Sequence, residues 1–257
     1  MKLICTLFFA FIVIYSSAQE TVKVTTGSKK SYYTETYYVL KSNKNIKHGH
    51  YQKYNSKNEL MENGYYKLDK KDSLWTEYSY NGALIKSRGS YSADLKNGLW
   101  ETFYHNSSSL RNKGSYTNDK KSGIWEFFND VSELVQKYDF DKRELLFDGV
   151  QNDTQLEMEV LTESGYVKKE VEKSPAYIGG ENELRTHLVH TIRYPEIALD
   201  NGIQGTVLVS FIVNEKGLAS DFKAENLLGG GLDRESIRVL QLTADNWMPA
   251  IYNGAPV

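Results

Sequence analysis

A step of 25 residues constrains this chain more than any other feature. Trp75, Trp100 and Trp125 stand on it, as do Gly64, Gly89 and Gly114, and Tyr66, Tyr91 and Tyr116. Gly98-Leu99-Trp100-Glu101 and Gly123-Ile124-Trp125-Glu126 are nearly the same tetrapeptide. Ser73-Leu74-Trp75-Thr76 is a looser copy and Gly49-His50-Tyr51-Gln52 a more distant one. Four units thus occupy residues 47–140. A short fixed period means that one supersecondary unit recurs and buries its apolar face only by stacking on its neighbours.

Each unit consists of short aromatic and β-branched runs separated by polar turns. Asn81-Gly82 reads as a two-residue hairpin turn, because both residue types tolerate positive φ, and Asn97-Gly98 reads as the next turn. No stretch here carries a helical apolar period. The expectation is an all-β antiparallel meander of hairpins. Most of the 19 Tyr fall in this region. The aromatic surface formed by Trp75, Trp100, Trp125 and Tyr104 reads first as the core of the sheet, with a partner-contacting patch as the alternative.

The Gly-Leu-Trp-Glu core, Phe103-Tyr104 and the closing Gly114-Ser115-Tyr116 resemble MORN repeats of the shorter bacterial kind. That resemblance implies a scaffold, with lipid or partner contacts.

The N-terminus reads as an address. Lys2 precedes an apolar run from Leu3 to Tyr15, and Ser16 and Ala18 suit cleavage before Gln19, giving a signal peptide over 1–18. Cys5, the only cysteine, lies inside it, so the exported chain is expected to carry no thiol, disulfide or cysteine metal site. The run is short against a bilayer core of ~30 Å, so membrane contact is expected to be peripheral at most. The formal net charge of −2 lacks the basic excess of a nucleic-acid binder.

Residues 19–46 lead into the first strands, and 141–171 read as a bridge with a hairpin around Ser164-Gly165. Over 172–257 the pattern changes. Gly179-Gly180 opens a helix with Leu184, Leu188 and Ile192 on one stripe, and Tyr194-Pro195 starts a second. Thr206–Val213 and Leu218–Leu227 alternate as strands, with Asp221, Lys223 and Glu225 outward. A helix follows Gly229-Gly230-Gly231, and Trp247-Met248-Pro249 closes the set. The order is helix, helix, strand, strand, helix, a small α+β domain.

Tyr194-Pro195 with Ala198, Ile203-Gln204-Gly205, Gly231-Leu232-Asp233, Trp247 with Pro249, and Asn253-Gly254 with Pro256-Val257 resemble the TonB C-terminal domain. The resemblance implies a periplasmic or envelope-associated domain that binds an outer-membrane transporter, largely by strand addition, and couples it to motor energy. Tyr194, Pro195, Gly205, Trp247 and Pro249 are its motif residues. In that family a final strand follows the Gly-x-Pro-Val step. This sequence stops at Val257, so the fold is expected as ααββα without that strand, leaving edges at Thr206, Leu208 and Ser210 and at Ala219, Asp221, Lys223 and Glu225 for a partner or a second copy of the chain.

No catalytic constellation stands out. His187 and His190 share a helix face with Glu183, but the expectation is a solvated face rather than a metal site. Gly229-Gly230-Gly231 lacks the lysine of a phosphate loop. The chain is therefore expected to be non-enzymatic, without cofactor or metal. It is either an envelope protein-binding module linked to TonB-type transport, or a repeat scaffold that contacts protein, lipid or glycan.

Overall fold

The computed structural model describes residues 19–27, 32–149, 156–162 and 165–257. The signal segment with Cys5 lies outside them. Eleven strands follow one another in sequence order as a single antiparallel meander. They are β1 (Thr21–Thr26), β2 (Tyr33–Leu40), β3 (Lys47–Asn55), β4 (Leu60–Lys67), β5 (Lys70–Tyr78), β6 (Ile85–Ser92), β7 (Leu95–Phe103), β8 (Leu110–Thr117), β9 (Lys120–Phe128), β10 (Leu134–Asp139) and β11 (Glu144–Asp148). The repeats are therefore extended by two strands before them and one after.

The tight turns are not where Asn-Gly placed them. Leu68-Asp69, Ala93-Asp94 and Asn118-Asp119 carry positive φ at both residues, the signature of two-residue hairpin turns. Each turn aspartate also clamps the preceding hairpin. Asp69, Asp94 and Asp119 accept from the amides of Lys47, Lys71 and Lys96 at 2.7, 2.6 and 2.8 Å. Asn81-Gly82 sits instead in the longer loop between β5 and β6. Asn97-Gly98 is not a turn at all: it lies inside β7, where Gly98 has φ 74°. The β6–β7 register jumps there from Gly89↔Trp100 to Ser90↔Asn97. Gly98 serves a bulge, which demands the same positive φ as a turn.

That bulge explains the repeat. It lets the Trp100 indole lie back over β6, where its Nε1 donates to the Ser90 carbonyl at 3.0 Å. Trp75 and Trp125 donate likewise to the Tyr65 and Ser115 carbonyls. A Cβ on Gly89 would stand 2.2 Å from the Trp100 ring, and Gly64 and Gly114 meet Trp75 and Trp125 in the same way. Tyr66, Tyr91 and Tyr116 then pack edge-on against the three indoles, each at a centroid distance of 5.1 Å. Lys71, Lys96 and Lys121 lay their ammonium groups over the same rings at 4.0, 4.4 and 4.7 Å. Tyrosine edges and lysine stems thus supply the cover a second layer would give.

Beyond the sheet, β12 (Leu156–Thr162) and β13 (Gly165–Val171) pair as a hairpin. The C-terminal unit follows: β14 (Ala176–Tyr177), α1 (Gly180–Thr191), α2 (Glu196–Asp200), β15 (Val209–Val213), β16 (Ala219–Ala224), α3 (Leu232–Gln241), β17 (Trp247–Met248), β18 (Ile251–Tyr252) and β19 (Ala255–Pro256). β14 pairs with β17, β15 with β16, and β18 with β19. Trp247 packs on Phe211, and Phe211 stacks on Phe222, at 4.8 and 5.2 Å. Val239 of α3 is buried, as are Thr243 and Ala198.

The unit is docked on the end of the repeat sheet. Ile178 and Met248 share one core cluster with Trp125, Phe127 and Tyr138, and the Gly179 amide donates to Gln136 Oε1 at 2.5 Å.

Candidate functional site

Two places in the fold concentrate features that can bind a partner: the β15–β16 hairpin and the junction between the sheet and the C-terminal unit.

The hairpin alternates as expected. Val207, Val209, Phe211 and Val213 are half-buried, while Leu208, Ser210 and Ile212 point outward, as do Asp221, Lys223 and Glu225. Both strands are shorter than expected, because Asn226 takes over the ladder. Its side chain donates to the Thr206 carbonyl at 2.8 Å and accepts from the Leu208 amide at 2.6 Å. Ser210 Oγ donates to Glu225 Oε1 at 2.5 Å, and Lys223 Nζ lies 3.4 Å from Glu225 Oε2. The Ser210 hydrogen bond, followed by those of Lys223, holds the Glu225 carboxyl below its usual range.

Among the described residues β15 and β16 pair only with each other. Ala219 is the exception to an open edge: it is buried, and its amide donates to the Ala244 carbonyl at 2.7 Å. Next to β16 an open groove of about 530 Å³ runs against α3, lined by Phe222, Ala224, Leu227 and Ile237 together with the charged Lys223, Asp233 and Arg234. Leu227 is 80% exposed there. The edge therefore comes with an apolar hollow for side chains of an added strand and with charges of both signs beside it.

The motif residues hold the fold. Tyr194 OH donates to the Ile203 carbonyl at 2.7 Å, Pro195 caps α2, and a Cβ on Gly205 would stand 2.9 Å from Leu228. Trp247 Nε1 donates to Thr243 Oγ1 at 3.1 Å, and Pro249, half-buried, follows Met248 of the docking core.

With that geometry in place, the comparison with known families bears on the C-terminal unit alone. Residues 190–257 match the family model described as Gram-negative bacterial TonB protein C-terminal. The match takes in α2, the β15–β16 hairpin, α3 and the closing strands, and it starts at the end of α1. No curated protein matches the chain significantly. Among solved structures, the crystal structure of TarM aligns at 11% identity and a TM-score of 0.27, over 50% of this chain and 21% of that one. Such a low likeness carries no argument. No helix among the described residues is long and apolar enough to cross a membrane.

In the sheet, Trp75, Trp100 and Trp125 are 2%, 5% and 2% exposed, so their rings are not offered to a ligand. Tyr104 is half-buried, and its hydroxyl donates to the Phe128 carbonyl at 2.7 Å. What the repeat exposes are the residues one before each Trp: Leu74, Leu99 and Ile124, on the opposite face.

The junction was not visible from the sequence. Glu183 Oε1 accepts from Asn112 Nδ2 at 2.9 Å and lies 2.9 Å from Arg111 Nε. The helix face of Glu183 and His187 is thus turned onto the sheet, which corrects the expected solvated face, while Ile192 of the apolar stripe is exposed. A pocket of about 340 Å³ opens there, lined by Arg111, Lys121, Tyr177, Glu183, His187 and His190. Burial pushes the Lys121 ammonium down to about 8, against the pull of Glu183 and with help from Arg111 and Lys96. Burial raises Tyr177 to about 12. Among the described residues no three His, Cys, Asp or Glu side chains gather as a metal site.

Proposed function

We propose that the protein is a non-enzymatic adaptor of the cell envelope, whose TonB-like domain binds an extended segment of an outer-membrane transporter or another envelope protein. The observation that carries the reading is the β15–β16 hairpin, whose strands pair only with each other among the described residues, within a unit whose residues 190–257 match the TonB C-terminal family. An unpaired edge offers backbone donors and acceptors to an added strand. The groove between β16 and α3 would take its alternate side chains. The family is one of periplasmic domains, which supports an envelope location and export by the N-terminal signal. The repeat sheet would hold the domain at a fixed distance and orientation, since both share a core.

The test is photo-crosslinking in living cells from full-length protein, with the probe at Lys223 and a control at Leu99. Capture of an outer-membrane transporter from Lys223 alone is the expected result. Capture from Leu99 alone would overturn it. It would favour a second reading, in which the MORN-like sheet is a scaffold that meets its partner through the exposed row Leu74, Leu99 and Ile124.

A further inference from the structure

The junction pocket gathers polar side-chain atoms whose hydrogen-bonding capacity neither packing nor strand addition uses in full. Among the described residues three buried side-chain atoms lack a hydrogen-bond partner: His48 Nδ1, Arg111 Nε and His187 Nε2. Two of the three line this one pocket. Arg111 Nε is close enough to Glu183 for ion pairing but is not aligned for a hydrogen bond. Buried polar groups in folded proteins almost always find partners, so His187 Nε2, with Arg111 beside it held only by its ion pair to Glu183, points to something that meets them in this hollow.

Lys121 adds to this. Its ammonium lies over the rings of Trp125, Phe127 and Phe140 at 4.7, 5.3 and 5.0 Å. Among the described residues no carboxylate stands within 4.0 Å of it, whereas Lys71, two units earlier, has Glu62 at 3.9 Å. An ammonium has three donors and no acceptor, and aromatic faces satisfy its charge only in part.

We propose that the pocket between the repeat sheet and α1 binds a small oxyanion, a carboxylate or phosphate group, through Arg111, Lys121 and His187. The chemistry favours an acceptor-only ligand. Arginine and lysine only donate, and with the histidines set aside their charges exceed that of Glu183 by one. A cation would meet Arg111 and Lys121 with only Glu183, already engaged by Asn112, to offset them. At about 340 Å³ the pocket has room for the anionic group and a small body attached to it. Arg111 and Lys121 come from β8 and β9, His187 and His190 from α1, and Tyr177 from β14. The site exists only when the C-terminal unit is docked, so the ligand would strengthen the docking. This inference rests on the docked arrangement and is independent of strand addition at β16.

The test titrates inorganic phosphate and, separately, acetate into the full chain while following the ring signals of His187 and His190 by NMR. Two variants run in parallel. Lys121→Met keeps an apolar stem over the aromatic rings, and His187→Gln keeps a polar group on the helix. Saturable shifts with either probe are expected, weakened by about tenfold or more in the variants, as for loss of a charged hydrogen bond. A response to acetate alone identifies a carboxylate ligand, and a response to phosphate alone a phosphate group. Where one variant fails to fold, the other decides. No saturable shift up to about 10 mM of either probe overturns the proposal. So do shifts of undiminished affinity in both variants, which would reduce binding to diffuse surface attraction.

Discussion

Asn112 Nδ2 donates to Glu183 Oε1 at 2.9 Å across 71 residues of sequence, and the contact completes the last repeat. One step of 25 before Asn112 stands Ser87, and one step before that Glu62, which pairs with Lys53 and Lys71 at 3.3 and 3.9 Å. The carboxylate that an early unit supplies from its own strand is supplied to the last one by α1.

Removing that carboxylate should loosen the docked unit. Glu183→Ala is expected to lower unfolding free energy by about 1–3 kcal/mol, because the Asn112 amide and the Arg111 guanidinium are left unpaired in a half-buried site. Asn112→Ala alone should cost less, and the double variant less than the sum. Urea unfolding of all four proteins measures this. Additive effects would mean that the two side chains do not act together.

The indoles and the residues before them should behave oppositely. Trp100→Ala removes a buried ring that packs on Tyr91 and donates to Ser90, and is expected to cost about 3–5 kcal/mol. Leu99→Ser, on a side chain 60% exposed, should stay within about 0.5 kcal/mol. Thermal unfolding separates the two, and similar losses at both sites would contradict the assignment of faces.

The meander was legible because the backbone demands the same residues in every unit. Only glycine fits beneath each indole, so Gly64, Gly89 and Gly114 mark the period as clearly as the tryptophans do. The turns were misread for a related reason. A bulge and a turn both ask for positive φ, and Asn97-Gly98 satisfies either. The alternation of the β15–β16 hairpin was plain from Val207 to Val213, but its shortening was not, since Asn226 replaces backbone bonds with side-chain ones. The junction was illegible because Glu183, Gln136 and Ile178 have ordinary local preferences and meet their partners only through the tertiary fold.

The aspartate clamps make a local prediction. Asp94→Ala removes the acceptor of the Lys71 amide, a bond of 2.6 Å that ties one hairpin to the one before it. The turn itself should survive, since the Asp94 amide still donates to the Lys71 carbonyl at 2.9 Å. A loss of about 0.5–1.5 kcal/mol is expected. Amide hydrogen exchange should speed up at Lys71 and leave Lys47 and Lys96 unchanged. Uniform acceleration along the sheet would show that the clamps act on global stability instead.

The last prediction concerns acid. Glu235 of α3 accepts from Arg238 Nη2 at 2.7 Å and from the Arg193 amide at 2.6 Å, and Arg238 also donates to the Thr191 carbonyl at 2.8 Å. This cluster ties α3 to the end of α1. The Arg238 hydrogen bond, with a smaller part from the Arg193 amide, holds the Glu235 carboxyl down at about 2, against an ordinary value of 4.5. A carboxyl whose value is depressed by folding stabilises the native state fully above its unfolded value, and that contribution disappears as the pH falls towards the folded one. The loss should therefore fall between about pH 4.5 and 2. Glu126, held low chiefly by Lys113, and Glu225 will leave residual acid sensitivity in any variant, so the informative quantity is the difference between proteins. Glu235→Gln should be less stable than the parent at neutral pH, and the two should converge as the pH drops through that window. Denaturant unfolding at a series of pH values measures the gap. A gap that stays constant down to pH 2 would show that Glu235 stabilises the fold by packing and not by its charge.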